Sequence, residues 1–121
     1  GLDERVQFLG FVADEDLPLF YSAAELFVLP SFAEGFGLVS LESMACNTPA
    51  ISSKTTSLPE ILEDASLYFD PYDPHDMAKV FMSVIGDREK YKSLQSLGLD
   101  QIKKYSWDKC AQQTLAIYQS V

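Results

Sequence analysis

The stretch Pro30-Ser31-Phe32-Ala33-Glu34-Gly35-Phe36-Gly37-Leu38-Val39-Ser40-Leu41-Glu42 decides the fold. Leu26-Phe27-Val28-Leu29 runs into it, a short apolar run stopped by proline, which is the pattern of a strand buried on both faces of a parallel sheet. From Leu38 to about Cys46 the pattern turns helical. The segment therefore links the carboxyl end of a strand to the start of a helix, where open α/β sheets hold their ligands. Gly35 and Gly37 remove side-chain bulk, so backbone N–H groups can approach a ligand closely. The helix that follows aims its positive end at the same spot, which favours an anion such as a diphosphate.

Glu34 and Glu42 frame the segment with seven residues between them. A carboxylate repels phosphate, so neither is a phosphate ligand. Both suit hydroxyl donors, the chemistry of sugars and ribose. An anion-binding loop between two hydroxyl acceptors fits a nucleotide sugar. Two other readings stay open at this point. The glutamates can be a solvated loop residue and a solvated helix residue. They can also be the acid and base of a glycosidase, whose carboxyls stand about 5–10 Å apart, although the glycines then have no purpose.

Outward from this segment, strands and helices alternate. Val6-Gln7-Phe8-Leu9 reads as a strand ended by Gly10, and Asp14-Glu15-Asp16 opens a helix in which Pro18 must fall within the first turn. Ala50-Ile51 begins a strand, Pro59-Glu60-Ile61-Leu62 a short helix, and Leu67-Tyr68-Phe69 a fourth strand. Asp73-Pro74 starts a helix with Asp as N-cap and Pro at its first position, its buried face marked by Met77, Phe81, Val84 and Ile85. Asp87 caps a helix carrying Tyr91, Leu94 and Ile102. Ser106 caps a last one carrying Cys110, Thr114 and Tyr118. This predicts an α/β layer fold with about four mostly parallel strands, flanking helices and three C-terminal helices. The three helices pack on the sheet or reach toward another domain.

The 121 residues amount to one domain, and 47% are apolar, enough for a real core. With 18 acidic against 9 basic side chains the net charge is −9, which excludes nucleic acid as a partner and disfavours anionic lipid. No apolar run approaches the ~20 residues of a membrane span. Cys46, Cys110 and the single His75 make neither a disulfide framework nor a zinc spacing, so a reduced cytoplasmic setting is expected, the parent protein being at most peripheral to the inner membrane face. The bland readings of the remaining residues are a surface His75, core positions for Cys46 and Cys110, packing for Trp107, and turn or cap roles for Asp70, Asp73 and Asp76.

Taken together, these residues resemble the group 1 retaining glycosyltransferases, which have two Rossmann-like domains and an E-x7-E motif. Glu34 and Glu42 match the motif. Val6 to Val12 is similar to the family's strand and turn near the base, Ala45-Cys46-Asn47-Thr48-Pro49 to its A-C-G-T-P turn, and Leu58-Pro59-Glu60 to its G-x-P-E segment. Leu67-Tyr68-Phe69-Asp70-Pro71 and Tyr105-Ser106-Trp107 resemble its later strand and last-helix entry. The resemblance implies that Glu34 contacts donor-sugar hydroxyls at the catalytic centre and that Glu42 binds the ribose. It also implies that the backbone of Gly35, Phe36, Gly37, Leu38 and Val39 holds sugar and diphosphate, with Phe36 packing under the loop and Phe11 and Val12 bordering the base. No cofactor and no metal are implied beyond the nucleoside diphosphate sugar. Two departures stand out. Asn47 replaces a usual glycine, and Asn tolerates the left-handed conformation of a helix end. Thr56-Ser57 stand where the family is often Gly-Gly.

The resemblance further implies that residues 1–121 are a partial donor-binding domain lacking its first two strands, a basic pair and a whole N-terminal acceptor domain. The chain alone is then expected to be catalytically inert. A strand at 6–9 without its neighbour is expected to move in beside 26–29, to pair with a second copy as a homodimer, or to stay loose, the first two being the leading expectations. The alternatives are a non-catalytic α/β interaction module, or a receiver-like domain, which lacks here both its paired acids after the first strand and a fifth strand.

Overall fold

The computed structural model describes residues 2–120. Among them three strands form one sheet, β1 (Phe27–Leu29), β2 (Ala50–Ser53) and β3 (Ser66–Phe69), ordered β1-β2-β3 and all parallel. Val28 lies opposite Ile51, and Ile51 opposite Leu67. Helix α1 (Leu17–Ala23) precedes β1, and α2 (Leu38–Ala45) connects β1 to β2. Helix α3 (Leu58–Leu62) and a 3-10 turn at Glu63–Ala65 connect β2 to β3. Helices α4 (Pro74–Ile85), α5 (Arg88–Gln101) and α6 (Trp107–Gln119) complete the chain.

Local chemistry sets these elements as the sequence predicts. Pro18, Pro59 and Pro74 all sit in first turns, where a missing N–H costs nothing. Asp73 accepts from the His75 N–H, Asp87 from the N–H groups of Glu89 and Lys90, and Ser106 from that of Lys109. Asn47 turns the chain after α2 at φ 63°, the left-handed conformation expected of it. Asp70 accepts from the Tyr72 N–H and Asp76 from that of Asp70, so these acids serve turns, and His75 is exposed.

Period-2 alternation puts helices on both faces of the sheet. On one face Phe27, Leu29, Ala50 and Tyr68 pack with Leu41 and Met44 of α2 and Leu58, Ile61 and Leu62 of α3. On the other, Val28, Ile51, Leu67 and Phe69 pack with Met77, Val80 and Val84 of α4 and Tyr91 and Leu94 of α5. The first layer is unusually close. Ser40 and Ser43 of α2 and Ser52 of β2 are fully buried, so the helix meets the sheet through small side chains. Gly98 lets α5 pass over Met44, where a Cβ would lie 2.9 Å from its Cγ.

Several expectations are corrected. On α4, Phe81 and Ile85 are 36% and 39% exposed and lie off the buried stripe, which is Met77, Val80 and Val84 at helical spacing. Val6-Gln7-Phe8-Leu9 is not a strand; it runs irregularly, with Phe8 96% exposed, so the sheet has three strands and not four. An apolar run supplies side chains for a sheet face, but strand structure also needs a partner backbone, and among the described residues 6–9 has none. Trp107 is 78% exposed and does not pack, and Cys110 is exposed and not a core residue. Both lie on α6, which buries no residue: its periodicity marks an apolar face that nothing among the described residues covers. Cys46 is partly buried at the end of α2.

Leu62→Ala, at a side chain with no exposure, is expected to cost about 2–5 kcal/mol. Trp107→Ala is expected to change stability by less than about 0.5 kcal/mol. Urea unfolding of the two variants checks the contrast.

Candidate functional site

The segment Pro30–Glu42 leaves β1 at the carboxyl edge of the sheet and enters α2. Its glycines have different duties. Gly37 is the N-cap of α2 at φ 89°, and a Cβ there would stand 2.5 Å from Leu58 Cδ2, so both conformation and space require glycine. Gly35 has φ outside the left-handed region, and a Cβ on it would meet nothing within 4 Å. The space over Gly35 is open. Because Gly37 has no side chain, no side-chain cap bonds the first turn of α2; the Ser40 N–H is taken by the Gly37 carbonyl, while those of half-exposed Leu38 and Val39 are left without a cap. The Phe36 ring stands edge-on to Tyr105 at 5.4 Å, which anchors the loop.

Both glutamates are held by neutral donors. The Ser31 hydroxyl donates to Glu34 Oε1 at 3.1 Å, and Oε2 has no partner among the described residues. The Tyr21 hydroxyl donates to Glu42 Oε2 at 3.1 Å. Neither ion pair among the described residues, Lys103–Asp100 or Lys104–Glu63, touches the segment. Both carboxylates therefore keep acceptor capacity for an incoming hydroxyl donor. Tyr21 is itself fixed: its ring stands edge-on to Phe27 at 5.6 Å, and its carbonyl accepts from the Thr48 hydroxyl. Its pKa is pushed up to about 12, first by burial, then by the hydrogen bond to Glu42 and the carboxylate's charge.

The turn after β2 lies against the segment. The Ser53 hydroxyl bonds the carbonyls of Leu29 and Ser31, and the Thr55 hydroxyl bonds that of Ser31. Thr56 Oγ1 accepts from the Glu34 N–H at 2.9 Å and donates to the Glu34 carbonyl at 2.9 Å, while Ser57 Oγ donates to the same carbonyl at 3.0 Å.

Residues 34–39 and Glu42 thus share one edge, as the spacing predicts. Phe11 and Val12 lie on the irregular stretch before α1, Phe11 91% exposed, and neither makes a hydrogen bond or a ring stack with the segment. Sequence reasoning gives Tyr21 and Ser31 no role and notes Thr56 and Ser57 only as a departure from Gly-Gly. The only signal available was the hydroxyl pair Thr56-Ser57 at a turn where glycines were expected.

Residues 1–98 match the family model described as Glycosyl transferases group 1. O-antigen chain mannosyltransferase B of Escherichia coli is 43% identical over 113 residues, 93% of this chain and 30% of that protein. Among solved structures, sucrose-phosphate synthase from Thermosynechococcus elongatus superposes with a TM-score of 0.89 at 33% identity, over 98% of this chain and 31% of that one. HepE of Anabaena in complex with UDP and glucose also superposes with a TM-score of 0.89, at 27% identity over 99% of this chain and 33% of that one. The chain therefore spans about a third of the length of these proteins.

The two glycines should separate cleanly. Gly37→Ala is expected to cost about 2 kcal/mol or more from conformation and clash together, and Gly35→Ala less than about 0.5 kcal/mol, both read by urea unfolding. Tyr21 gives a pH signature. A raised folded pKa stabilises fully below the ordinary value of 10 and is lost as pH climbs through about 12. Between those values wild type should lose stability relative to Tyr21→Phe, which unfolding across that alkaline range would reveal.

Proposed function

The chain belongs to the group 1 glycosyl transferases, and on that premise we propose that it is the donor-holding part of a retaining enzyme that moves a hexose from a nucleoside diphosphate sugar to an acceptor. The observation that carries this reading is the uncapped start of α2, open above Gly35 and flanked by two carboxylates held only by hydroxyls. Anion and polyol recognition meet on one edge. The backbone N–H groups of residues 35–39 and the positive end of α2 take the diphosphate. Glu42 takes the ribose hydroxyls. Glu34, through its free oxygen, takes hydroxyls of the sugar at the reacting centre. Phe11 and Val12 border the base. The complex of HepE with UDP and glucose is consistent with this class of ligand.

In retaining transfer the bond from the anomeric carbon to the diphosphate breaks, and charge grows on the leaving oxygen. The helix N-terminus and loop amides face that charge and stabilise it. The acceptor oxygen forms the new bond to that carbon from the face the diphosphate leaves, so configuration is retained; holding the acceptor there is the other requirement, and it is met elsewhere in the parent protein. The donor is the only small molecule the chemistry needs in this reading, with no metal or cofactor. The setting is cytoplasmic, with peripheral membrane association where the acceptor is lipid-borne. A second reading, a non-catalytic interaction module or homodimer, draws on the exposed apolar residues Val6, Phe8, Leu9 and Phe11 beside a short sheet.

Calorimetric titration with UDP, GDP and ADP tests the reading. One of the three is expected to bind, and Glu42→Ala to weaken it about tenfold or more, the scale of a lost hydrogen bond to a charged group. Equal binding by that variant overturns the ribose assignment. No sugar transfer is expected from the chain alone, and turnover above background overturns that. Absence of nucleotide binding together with a defined oligomer in sedimentation favours the interaction module.

A further inference from the structure

Thr56 carries an unusual combination. It is a β-branched residue at φ 45°, in the left-handed region where such side chains are rare. Glycine would relieve that conformation, and the neighbouring turn is exposed enough to admit it. What threonine adds is its hydroxyl, and that hydroxyl has one partner residue. It accepts from the N–H of Glu34 and donates to the carbonyl of Glu34, each at 2.9 Å, while the Ser57 hydroxyl reinforces the carbonyl at 3.0 Å. Three hydrogen bonds from one turn thus close on the backbone of one residue. The duty of Ser57 is not to cap α3, because its side chain makes no cap bond to that helix.

Glu34 otherwise sits in a loop with little to hold it. Gly35 follows with no contacts that a Cβ would disturb, and among the described residues the carboxylate has a single partner, Ser31. Without the clamp the peptide planes on either side of Glu34 could rotate, and the carboxylate would lose its aim. With it, only the side-chain torsions remain free, and Ser31 restrains those. Glu42 lies on regular helix and is steered separately, by Tyr21. The clamp therefore acts on one of the two carboxylates alone.

We propose that Thr56, with Ser57, is a positioning residue for Glu34, holding its backbone so that the free carboxylate oxygen meets the sugar, and that it thereby sets the preference for a nucleoside diphosphate sugar over the bare nucleoside diphosphate. This rests on the donor-site reading above. It also explains the hydroxyl pair where the family is often Gly-Gly: here side-chain hydroxyls fasten the loop.

The test compares Thr56→Gly/Ser57→Ala, which removes all three bonds and suits the left-handed backbone, with Thr56→Ser, which keeps the Thr56 hydroxyl. Amide hydrogen exchange at Glu34 is expected to quicken about tenfold or more in the double variant and to stay within about threefold in Thr56→Ser. Titration with UDP, GDP and ADP, and with UDP-glucose, GDP-mannose and ADP-glucose, is expected to show bare nucleotide binding within about twofold of wild type in both variants. The extra affinity for the sugar nucleotide should fall about tenfold in the double variant and be retained in Thr56→Ser. A general loss of fold would weaken both ligand classes together, and that result overturns the proposal. So does unchanged exchange at Glu34, or an unchanged sugar increment. Wild type that binds no nucleotide overturns the donor reading and the positioning role with it, whereas wild type that binds while the double variant loses nothing overturns the positioning role alone.

Discussion

Parallel pairing of β1 with β2 and of β2 with β3 is the constraint on which the rest depends. In a parallel ladder every strand leaves the sheet at the same edge. Pro30, Lys54 and Asp70 therefore follow their strands side by side, and so do the segments they begin. The loop into α2 and the turn into α3 become neighbours although 22 positions separate Glu34 from Thr56. An antiparallel arrangement would send alternate strands out at opposite edges, and the hydroxyls of Ser53, Thr55, Thr56 and Ser57 could not all reach the backbone of residues 29–34.

That edge is usable because the layer behind it is thin. α2 lies over the sheet through Ser40, Ser43, Ala50 and Ser52, all without exposed surface. Buried hydroxyls must find partners or cost stability, and these do: Ser40 meets Ser52, and Ser43 bonds the Thr48 carbonyl. Gly37 over Leu58 and Gly98 over Met44 make the two tightest approaches. The start of α2 is thus fixed in height and direction by packing within the chain. Its two glutamates are held by neutral groups, so no cation among the described residues competes for them.

Much of this is legible in the chain itself. Pro30 stopping an apolar run, Asp73 before Pro74, Asp87 and Ser106 before helical stretches, and Asn47 at a helix end all report structure within a turn of their own position, and each acts as read. The bracketing of a glycine loop by Glu34 and Glu42 is legible for the same reason: strand, loop and helix are consecutive, and the polarity of the helix follows from chain direction. The failures are also of one kind. Val6 to Leu9 has the side chains of a strand and no backbone to pair with, and Trp107 and Cys110 lie on a helix whose apolar face meets nothing among the described residues. In both cases pattern announces a surface that wants burial without saying what buries it.

The sequence by itself determined the elements, their order, their caps and the placement of two carboxylates around a glycine loop, because propensity, capping and periodicity act over a few residues. Only the tertiary structure decided what holds the Glu42 carboxylate and the Glu34 backbone. Tyr21 reaches Glu42 across 21 positions, and Thr56 and Ser57 reach the Glu34 backbone across 22 and 23. A hydrogen bond is decided by distance and angle within a few tenths of an ångström, and no spacing along the chain encodes that until the strands have paired.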